Sequence, residues 1–467
     1  MLKFQFAVLL IGLLVGCSNS HLEIFPELDD PELVTKKIEP ELLKEDIDAL
    51  YWGVVERHPD LMKYANQTSL EQEIKALKNQ LTQPLTRVEF YRIIGQLTHQ
   101  FNDGHSLLLW PYQEYQQLIK EGNKAFPFTT FVDNHDQMFI KQSYVTDSGL
   151  KLPSGGQLLS INKIDVASLL ESMQKYAGGE SAYLRKQFIA DRLGIYLWAV
   201  YSFVNKFELV YKYKGEISSL TLTKDQTWQP TDSQDIQEDF YFKALGDGTG
   251  YLYIGHFDID PDSFEDLMDD IFAEINRQNI QSLIVDVRDN TGGNTDTATY
   301  LTQYLANDRF RMVSSMKEKL NSDNRGWLNY RGEIGKLIEK EWVDWVEPIE
   351  DNRYRGEVYL LVSPITYSSG IVFASTMKDH GFATLIGQET GGYANQTAQG
   401  NLFNLPHSEL RAYVATRILV RPNGSLSPGG VKPHYPVLST QKTLSDNIDV
   451  EIEKALELIN AKNSKSQ

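Results

Sequence analysis

The chain has 467 residues, of which 41% are hydrophobic and 11% aromatic, so it can bury a large core divided among two or three domains. Its formal charge of −18 argues against a nucleic-acid partner, because such partners require clustered Lys and Arg. The chain has a single cysteine, which excludes a disulfide within it.

The N-terminus has the pattern of a secretory signal, with a positive start, a short apolar run and small residues before the cysteine. Leu14–Cys17 resembles the bacterial lipobox, whose chemistry attaches a diacylglyceryl group to the cysteine and cleaves before it. We therefore predict a signal peptide over 1–16, lipidation at Cys17 and a tether over 17–40. The alternative is a transmembrane anchor, although the apolar run is shorter than the roughly 20 residues that a span needs.

This lipobox resemblance implies a location. A lipid on Cys17 would hold the protein on a membrane of the bacterial cell envelope. Ser18 and Asn19 lack the aspartate that commonly retains lipoproteins at the inner membrane. The resemblance therefore favours the outer membrane, with the protein facing the periplasm or the cell surface.

The next segment has the apolar spacing of helices. Apolar residues recur at helical intervals over 43–54 and 70–81, and Thr86 with Glu89 forms a capping box that opens a third helix. The helical pattern ends at a glycine-containing turn that presents His105. We predict a helical N-terminal domain over 41–125.

From residue 126 the pattern changes to short strands, predicted at 138–140, 157–161 and 207–213, with a helix over 169–173. The turn and strand over 153–166 resemble those of a PDZ domain, with Lys163 in place of the usual glycine. We predict a PDZ-like domain over 126–235, the alternative being an ordinary small β domain.

The remainder alternates strands and helices. We predict strands at 250–254, 282–287, 358–362 and 383–386, a helix over 264–275 capped by Ser263, and a helix that ends at Lys378. This order is typical of an α/β layer structure whose strand-to-helix turns share one edge. The predicted catalytic domain covers 236–467.

Two serines near this last helix could serve as nucleophiles. Ser368 stands where a helix begins after a buried strand, whereas Ser375 and Lys378 spell the S-x-x-K of penicillin-binding enzymes. That second reading also needs a K-T-G strand after S-D-N, but here Lys442-Thr443 precedes Ser445-Asp-Asn447. Ser375 also falls inside its helix, where a hydroxyl bonds back to the chain. The order excludes the penicillin-binding reading.

Five motifs resemble, in the same order, those of the carboxy-terminal-processing and tricorn-core serine peptidases: Asp103–Ser106, Asp286–Gly293, Thr366–Ala374, Gly387–Gly392 and Gly430–Pro433. The resemblance implies a multidomain α+β fold with an N-terminal helical domain, a PDZ-like β domain and an α/β catalytic domain of the crotonase-like kind. It also implies a serine peptidase.

The resemblance assigns residues to roles. Ser368 is the nucleophile, and the oxyanion lies between the backbone N–H of Ser369 and that of Gly292 or Gly293, at the positive end of a helix. The alternative is that Ser368 is only an N-cap. His105 is the general base of the tricorn-like branch.

The other branch of the family uses a lysine base, but its position holds Tyr393. The tricorn-like branch supports its histidine with a serine and a glutamate, and these places hold Gly104 and Ser427. We therefore nominate Glu389 as the orienting residue. We expect Asp103 to cap its turn.

The sequence thus predicts a lipid-anchored serine peptidase that cleaves a peptide or protein substrate through an acyl-enzyme. No zinc-ligand spacing and no phosphate loop occur in the sequence, so neither a metal nor a cofactor is implied. The alternative function is a catalytically silent protein on the same fold that binds peptides or apolar ligands.

Overall fold

The computed structural model describes residues 25–147, 149–231, 239–326, 330–340, 343–446 and 448–464. The predicted signal peptide and Cys17 lie outside these residues. Within them, no helix is both long enough and apolar enough to cross a bilayer.

The N-terminal part is a helical bundle that includes one short strand. Its helices are α1 (Pro40–Arg57), α2 (Leu61–Tyr64), α3 (Gln67–Gln80), α4 (Arg87–Ile94) and α5 (Tyr112–Lys120), and its strand is β1 (Ser106–Leu108). The predicted capping box is confirmed, since the side chains of Thr86 and Glu89 each bind the other's backbone N–H. After α4, a 3₁₀ helix over Gly95–Phe101 ends at Asn102, whose φ of 51° reverses the chain before His105.

The middle part contains two antiparallel sheets. Its strands are β2 (Thr130–Val132), β3 (Met138–Ile140), β4 (Tyr144–Thr146), β5 (Lys151–Leu152), β6 (Gln157–Ile161), β7 (Ile164–Asp165), β8 (Lys206–Tyr213), β9 (Glu216–Thr223) and β10 (Trp228–Pro230). The small sheet has the order β10-β4-β5, and the strand order of the main sheet is β2-β3-β6-β8-β9, with β7 on β6. Three helices accompany it, α6 (Val166–Met173), α7 (Ala182–Asp191) and α8 (Leu193–Tyr201).

Helices α7 and α8 were not predicted. Both have apolar residues on several faces, because they pack between the middle part and the rest of the protein rather than on its surface. Leu184 and Phe188 of α7 belong to the core of the C-terminal part, whereas Leu197 of α8 belongs to the core of the middle part. A helix enclosed in this way lacks the one-sided pattern by which sequence reveals a helix.

The C-terminal part is a three-layer α/β structure. Its strands are β11 (Phe240–Gly246), β12 (Thr249–Ile254), β13 (Ser282–Asp286), β14 (Ser315–Lys319), β15 (Leu337–Glu339), β16 (Glu357–Val362), β17 (Thr384–Gly387), β18 (Thr397–Asn404), β19 (Arg411–Val420) and β20 (Tyr435–Pro436). Its helices are α9 (Pro261–Arg277), α10 (Thr295–Leu305), α11 (Ser369–Asp379), α12 (Gln441–Ser445) and α13 (Val450–Asn463).

The main sheet of this part has the order β11-β12-β13-β16-β17-β20, and its strands from β12 to β20 are parallel. Helices α9, α10 and α11 cover one face, where Phe272, Tyr304 and Phe373 are fully buried, and α13 covers the other face. The cap of α9 differs from the prediction. Asp260 is the N-cap, and Ser263 donates to it from the third helical position, because a carboxylate accepts both its N–H and its O–H.

A second sheet joins the N-terminal part to the C-terminal part. Its order is β1-β19-β14-β15, with β18 on the other side of β19, and β1 pairs antiparallel with β19 through Ser106 and Val414. The N-terminal helices also share their core with Leu410 and Val414. This pairing fixes the turn that carries His105 onto the C-terminal part.

The mixed α+β, multidomain prediction is confirmed. The PDZ-like and crotonase-like assignments remain predictions, as do the domain boundaries.

Candidate active site

The turns that follow β13 and β16 lie side by side, because the two strands are parallel neighbours. Asn290, which is fully buried, joins the turns: its carbonyl accepts the N–H of Tyr367 at 3.0 Å and its side-chain oxygen accepts the N–H of Gly292 at 2.9 Å. A single asparagine thus sets the glycine turn against the start of α11.

The acidic residues of the turn after β13 have a structural role. Asp286 is buried and accepts hydrogen bonds from the guanidinium of Arg288. The same guanidinium also binds Asp449, which lies just before α13. Asp289 forms an ion pair with Lys141 of the middle part at 2.8 Å. These carboxylates attach other parts of the chain to the turn, and their charges are already paired.

Ser368 has an unusual backbone conformation. Its φ of 53° and ψ of −121° lie outside the regions that L-residues favour, a strain of about 1–3 kcal/mol that persists only where the surroundings impose it. It occupies the N-cap position of α11, yet its side chain makes no capping hydrogen bond. Its Oγ lies 3.0 Å from His105 Nε2 instead. The reading of Ser368 as only an N-cap is therefore wrong.

His105 is held by a second network. Asp103, which is fully buried, accepts the N–H of His105 at 3.0 Å and the hydroxyls of Ser106 and Thr397 at 2.7 and 2.6 Å. Asp103 therefore does more than cap its turn.

The same carboxylate also binds His58. Nδ1 of His58 accepts the N–H of Asp60 at 3.1 Å, so its Nε2 carries the proton and donates to Asp103 at 3.1 Å. Burial alone would raise the pKa of Asp103, but His58 and the other partners hold it well below its ordinary value. Asp103 is thus a fixed negative charge close to His105.

The Nδ1 atom of His105 does not face Glu389. It lies 3.2 Å from the hydroxyl of Tyr367 and 3.4 Å from that of Thr397. The Tyr367 hydroxyl in turn donates to Glu180 at 2.9 Å.

Glu389 lies elsewhere. It is exposed and accepts the N–H of Gly430 at 2.9 Å, so its nomination as the orienting residue is wrong. Ser427 lies in a surface loop and bonds to Ser425.

Burial lowers the pKa of His105 below its ordinary value of 6.5, although the charge of Asp103 acts in the opposite direction. The imidazole is therefore neutral at neutral pH, with a nitrogen available to accept a proton. A neutral imidazole in contact with a strained serine hydroxyl is the arrangement that activates a nucleophile.

Two backbone N–H groups beside Ser368 are free of partners within the described part of the chain, those of Ser369 and Gly293. Gly293 lies opposite Phe257 in a parallel bridge, which directs its own N–H away from Phe257. The N–H of Gly292 already donates to Asn290, so the prediction of Gly292 as an oxyanion donor is wrong. Its contribution is space, because a Cβ there would lie 2.6 Å from the Cβ of Ser368.

The structure also separates the rival groups from this site. Ser375 is 1% exposed inside α11, and its hydroxyl has no hydrogen-bond partner among the described residues, so the expected bond back to the chain is wrong. Lys378 bonds to the carbonyl of Lys432. Ser445 bonds to Gln441 in α12, and Asn447 lies outside the described residues. No metal-binding group of three or more His, Cys, Asp or Glu occurs among the residues that the structure describes.

Sequence reasoning missed Tyr367, Glu180, Thr397 and His58. A Cβ on Gly104 or on Gly392 would collide with the ring or hydroxyl of Tyr367, so glycines from two motifs make room for it, which only the structure reveals. No local pattern indicates Glu180 or His58, because they come from segments that only the tertiary fold brings together.

The α/β fold and the Ser368–His105 contact are the arrangement expected of a serine hydrolase. Residues 248–437 match peptidase family S41. The chain carries a domain of this family and is a serine peptidase.

Solved structures share the fold over most of the chain. Mature CPAF complexed with lactacystin is 13% identical, with a TM-score of 0.63, over 90% of this chain and 98% of that one. A CPAF mutant is 13% identical, with a TM-score of 0.64, over 87% of this chain and 95% of that one. No curated protein matches the chain.

Proposed function

We propose that the protein hydrolyses peptide bonds through an acyl-enzyme on Ser368, with His105 as general base. The single observation that carries the proposal is the strained serine whose hydroxyl lies 3.0 Å from a buried, neutral imidazole rather than on its own helix. A cap residue gains nothing from such a conformation, whereas a nucleophile does.

In the proposed reaction, the Ser368 oxygen attacks the substrate carbonyl while its proton moves to Nε2 of His105. The carbonyl electrons move onto the oxygen, which the N–H groups of Ser369 and Gly293 stabilise. The intermediate collapses, the C–N bond breaks, and the departing amine takes the proton from Nε2. Water then attacks the ester with His105 again as base, which releases the acid product and restores Ser368.

The test needs no known substrate. A fluorophosphonate should label Ser368 of the full chain, and peptide mixtures should show new termini by mass spectrometry. A protein that is folded, unlabelled and without cleavage products would favour the alternative of a silent binding protein.

We also propose that a lipid on Cys17 anchors the protein in the bacterial cell envelope, with the outer membrane favoured. The support is the lipobox-like Leu14–Cys17 and the absence of an aspartate after it.

Cys17→Ala should move the protein from the membrane fraction to the soluble fraction or leave it unprocessed, because each buried CH₂ of the lipid supplies about 0.8 kcal/mol. Fractionation and labelling with a radioactive fatty acid measure this, with Ser18→Ala as the matched control. If wild type incorporates no fatty acid and Cys17→Ala fractionates in the same way as wild type, lipid anchoring is contradicted.

A PDZ-like role of the middle part is a further proposal, in which an extended chain end adds to the edge strand β2. In the structure the side chain of Gln187 on α7 binds the Val132 carbonyl at this edge, so a substrate would have to displace it.

Gln187→Ala should therefore raise cleavage of long substrates relative to short peptides, which kcat/KM for both lengths measures. An equal change for both lengths would count against recognition at β2.

A further inference from the structure

A buried chain of hydrogen bonds leads away from the proposed dyad. Nε2 of His105 contacts Ser368, its Nδ1 lies 3.2 Å from the Tyr367 hydroxyl, and that hydroxyl lies 2.9 Å from Glu180 Oε1. The Tyr367 ring also stacks on the imidazole, with centroids 4.8 Å apart. Glu180 is 4% exposed, and its second oxygen has no hydrogen-bond partner among the described residues.

We propose that Tyr367 and Glu180 position His105 by selecting its tautomer, and that only ionised Glu180 selects the tautomer that can act as a base. The inference rests on the proposed function, and it concerns two positioning residues that do not touch the substrate.

The selection follows from which group can donate. An ionised carboxylate only accepts hydrogen bonds, so the Tyr367 proton must point to Glu180. The tyrosine oxygen then offers a lone pair to Nδ1 of His105, which must carry the imidazole proton. Nε2 is thereby left free to accept the proton of Ser368.

A neutral Glu180 permits the opposite arrangement. Its O–H can donate to the Tyr367 oxygen, and the tyrosine proton can then turn toward Nδ1 of His105. The imidazole proton moves to Nε2. That nitrogen then points an N–H at Ser368 and cannot accept the serine proton. The two protonation states of Glu180 thus correspond to an inactive and an active dyad.

The second hydroxyl near Nδ1 cannot replace this control. Thr397 donates to Asp103 at 2.6 Å and lies 3.4 Å from Nδ1, so it accepts only a long hydrogen bond. It favours the active tautomer weakly, whereas Tyr367 is closer and can either accept or donate.

The site sets the pH at which Glu180 ionises. Burial raises its pKa to about 8, the nearby charge of Asp103 adds to this, and the Tyr367 hydrogen bond and Arg185 oppose it. The phenol groups of Tyr64 and Tyr393 are also close enough to interact electrostatically with Glu180, whose charge raises the pKa of each. Activity should therefore rise with pH in two steps, one below 6.5 for His105 and one near 8 for Glu180.

The experiment measures the rate of fluorophosphonate labelling of the full chain between about pH 5 and pH 10. Glu180→Gln should remove the step near pH 8. At pH values above the step, its labelling rate should be about tenfold to a hundredfold below that of wild type. This is smaller than the loss from a fully wrong tautomer, because the variant still populates the active tautomer in part. Tyr367→Phe keeps the ring but removes the hydroxyl, and it should also remove the step. The matched control is Tyr393→Phe, which removes a hydroxyl near Glu180 that does not bind His105 and should keep the step.

Thermal unfolding shows whether Glu180 titrates as proposed. Between its ordinary pKa of 4.5 and its folded pKa of about 8, the folded protein keeps a proton that the unfolded chain releases. Glu180 therefore lowers stability as pH rises through this window. Glu180→Gln should remove that loss of stability. As pH rises through this window, the melting temperature of the variant should therefore fall less than that of wild type.

The outcomes separate the two proposals. A wild type that is not labelled at Ser368 would overturn the proposed function. Labelling at Ser368 with a step near pH 8 that persists in folded Glu180→Gln and Tyr367→Phe would overturn only the positioning role. Nitrogen chemical shifts of His105 above and below the step should show the proton moving between Nδ1 and Nε2.

Discussion

Ser368→Ala and His105→Ala should each reduce the acylation rate by about 10⁴-fold to 10⁶-fold. The double variant should acylate no more slowly than the slower of the two single variants. The reason is that nucleophile and base act as one unit, joined by the 3.0 Å contact between Oγ and Nε2. The residual rate should be that of a site which binds the substrate but cannot activate a hydroxyl.

The measurement is single-turnover cleavage of a peptide identified by mass spectrometry. Folding controls are essential because His105 is buried, and circular dichroism with thermal unfolding supplies them. Ser375→Ala is the matched control, since this second serine of α11 lies buried and away from His105, and it should keep wild-type acylation. Activity that survives His105→Ala in a folded protein would overturn the proposed base.

Gly292→Ala should lower kcat by about 10²-fold to 10³-fold, the cost of losing one oxyanion donor. The added Cβ would lie 2.6 Å from the Cβ of Ser368 and 3.2 Å from its Oγ. Either the serine or the glycine turn must move, and the N–H of Gly293 moves with the turn. KM should change less than kcat, because the oxyanion forms only during the reaction.

A control variant separates the strain that alanine causes in a backbone of positive φ from the collision with Ser368. Gly292 has a φ of +111°, so alanine there is also strained. Gly381, after α11, has a φ of +74° with open space where a Cβ would lie. Gly381→Ala should therefore destabilise the fold to a similar degree while kcat stays unchanged. Equal kcat for the two variants would contradict the steric argument.

The sequence predicted most of the local structure, because the periodic spacing of apolar residues and the capping box at Thr86 are local signals. It did not predict α7 and α8, which are enclosed on several faces. Nor did it predict that β1 would pair with β19, since a strand of three residues carries no pattern that indicates its partner.

The candidate site divides in the same way. Ser368, His105 and the glycine pair stand in motifs, so their assignment came from the resemblance and the structure brings them together. The orienting group could not be predicted, because Glu180 reaches His105 only through Tyr367. Gly104, which occupies the place of the family's serine, leaves the space that the Tyr367 hydroxyl fills.

The pairing of β1 with β19 has a consequence for the order in which the chain becomes active. His105 and Ser368 are 263 positions apart, and the strand that holds the turn of His105 in place runs from Arg411 to Val420. A chain still emerging from the ribosome therefore contains the histidine long before it contains the strand that holds it in place. The contact between His105 and Ser368 can therefore be fixed only after the strand Arg411–Val420 has been synthesised and has paired with β1.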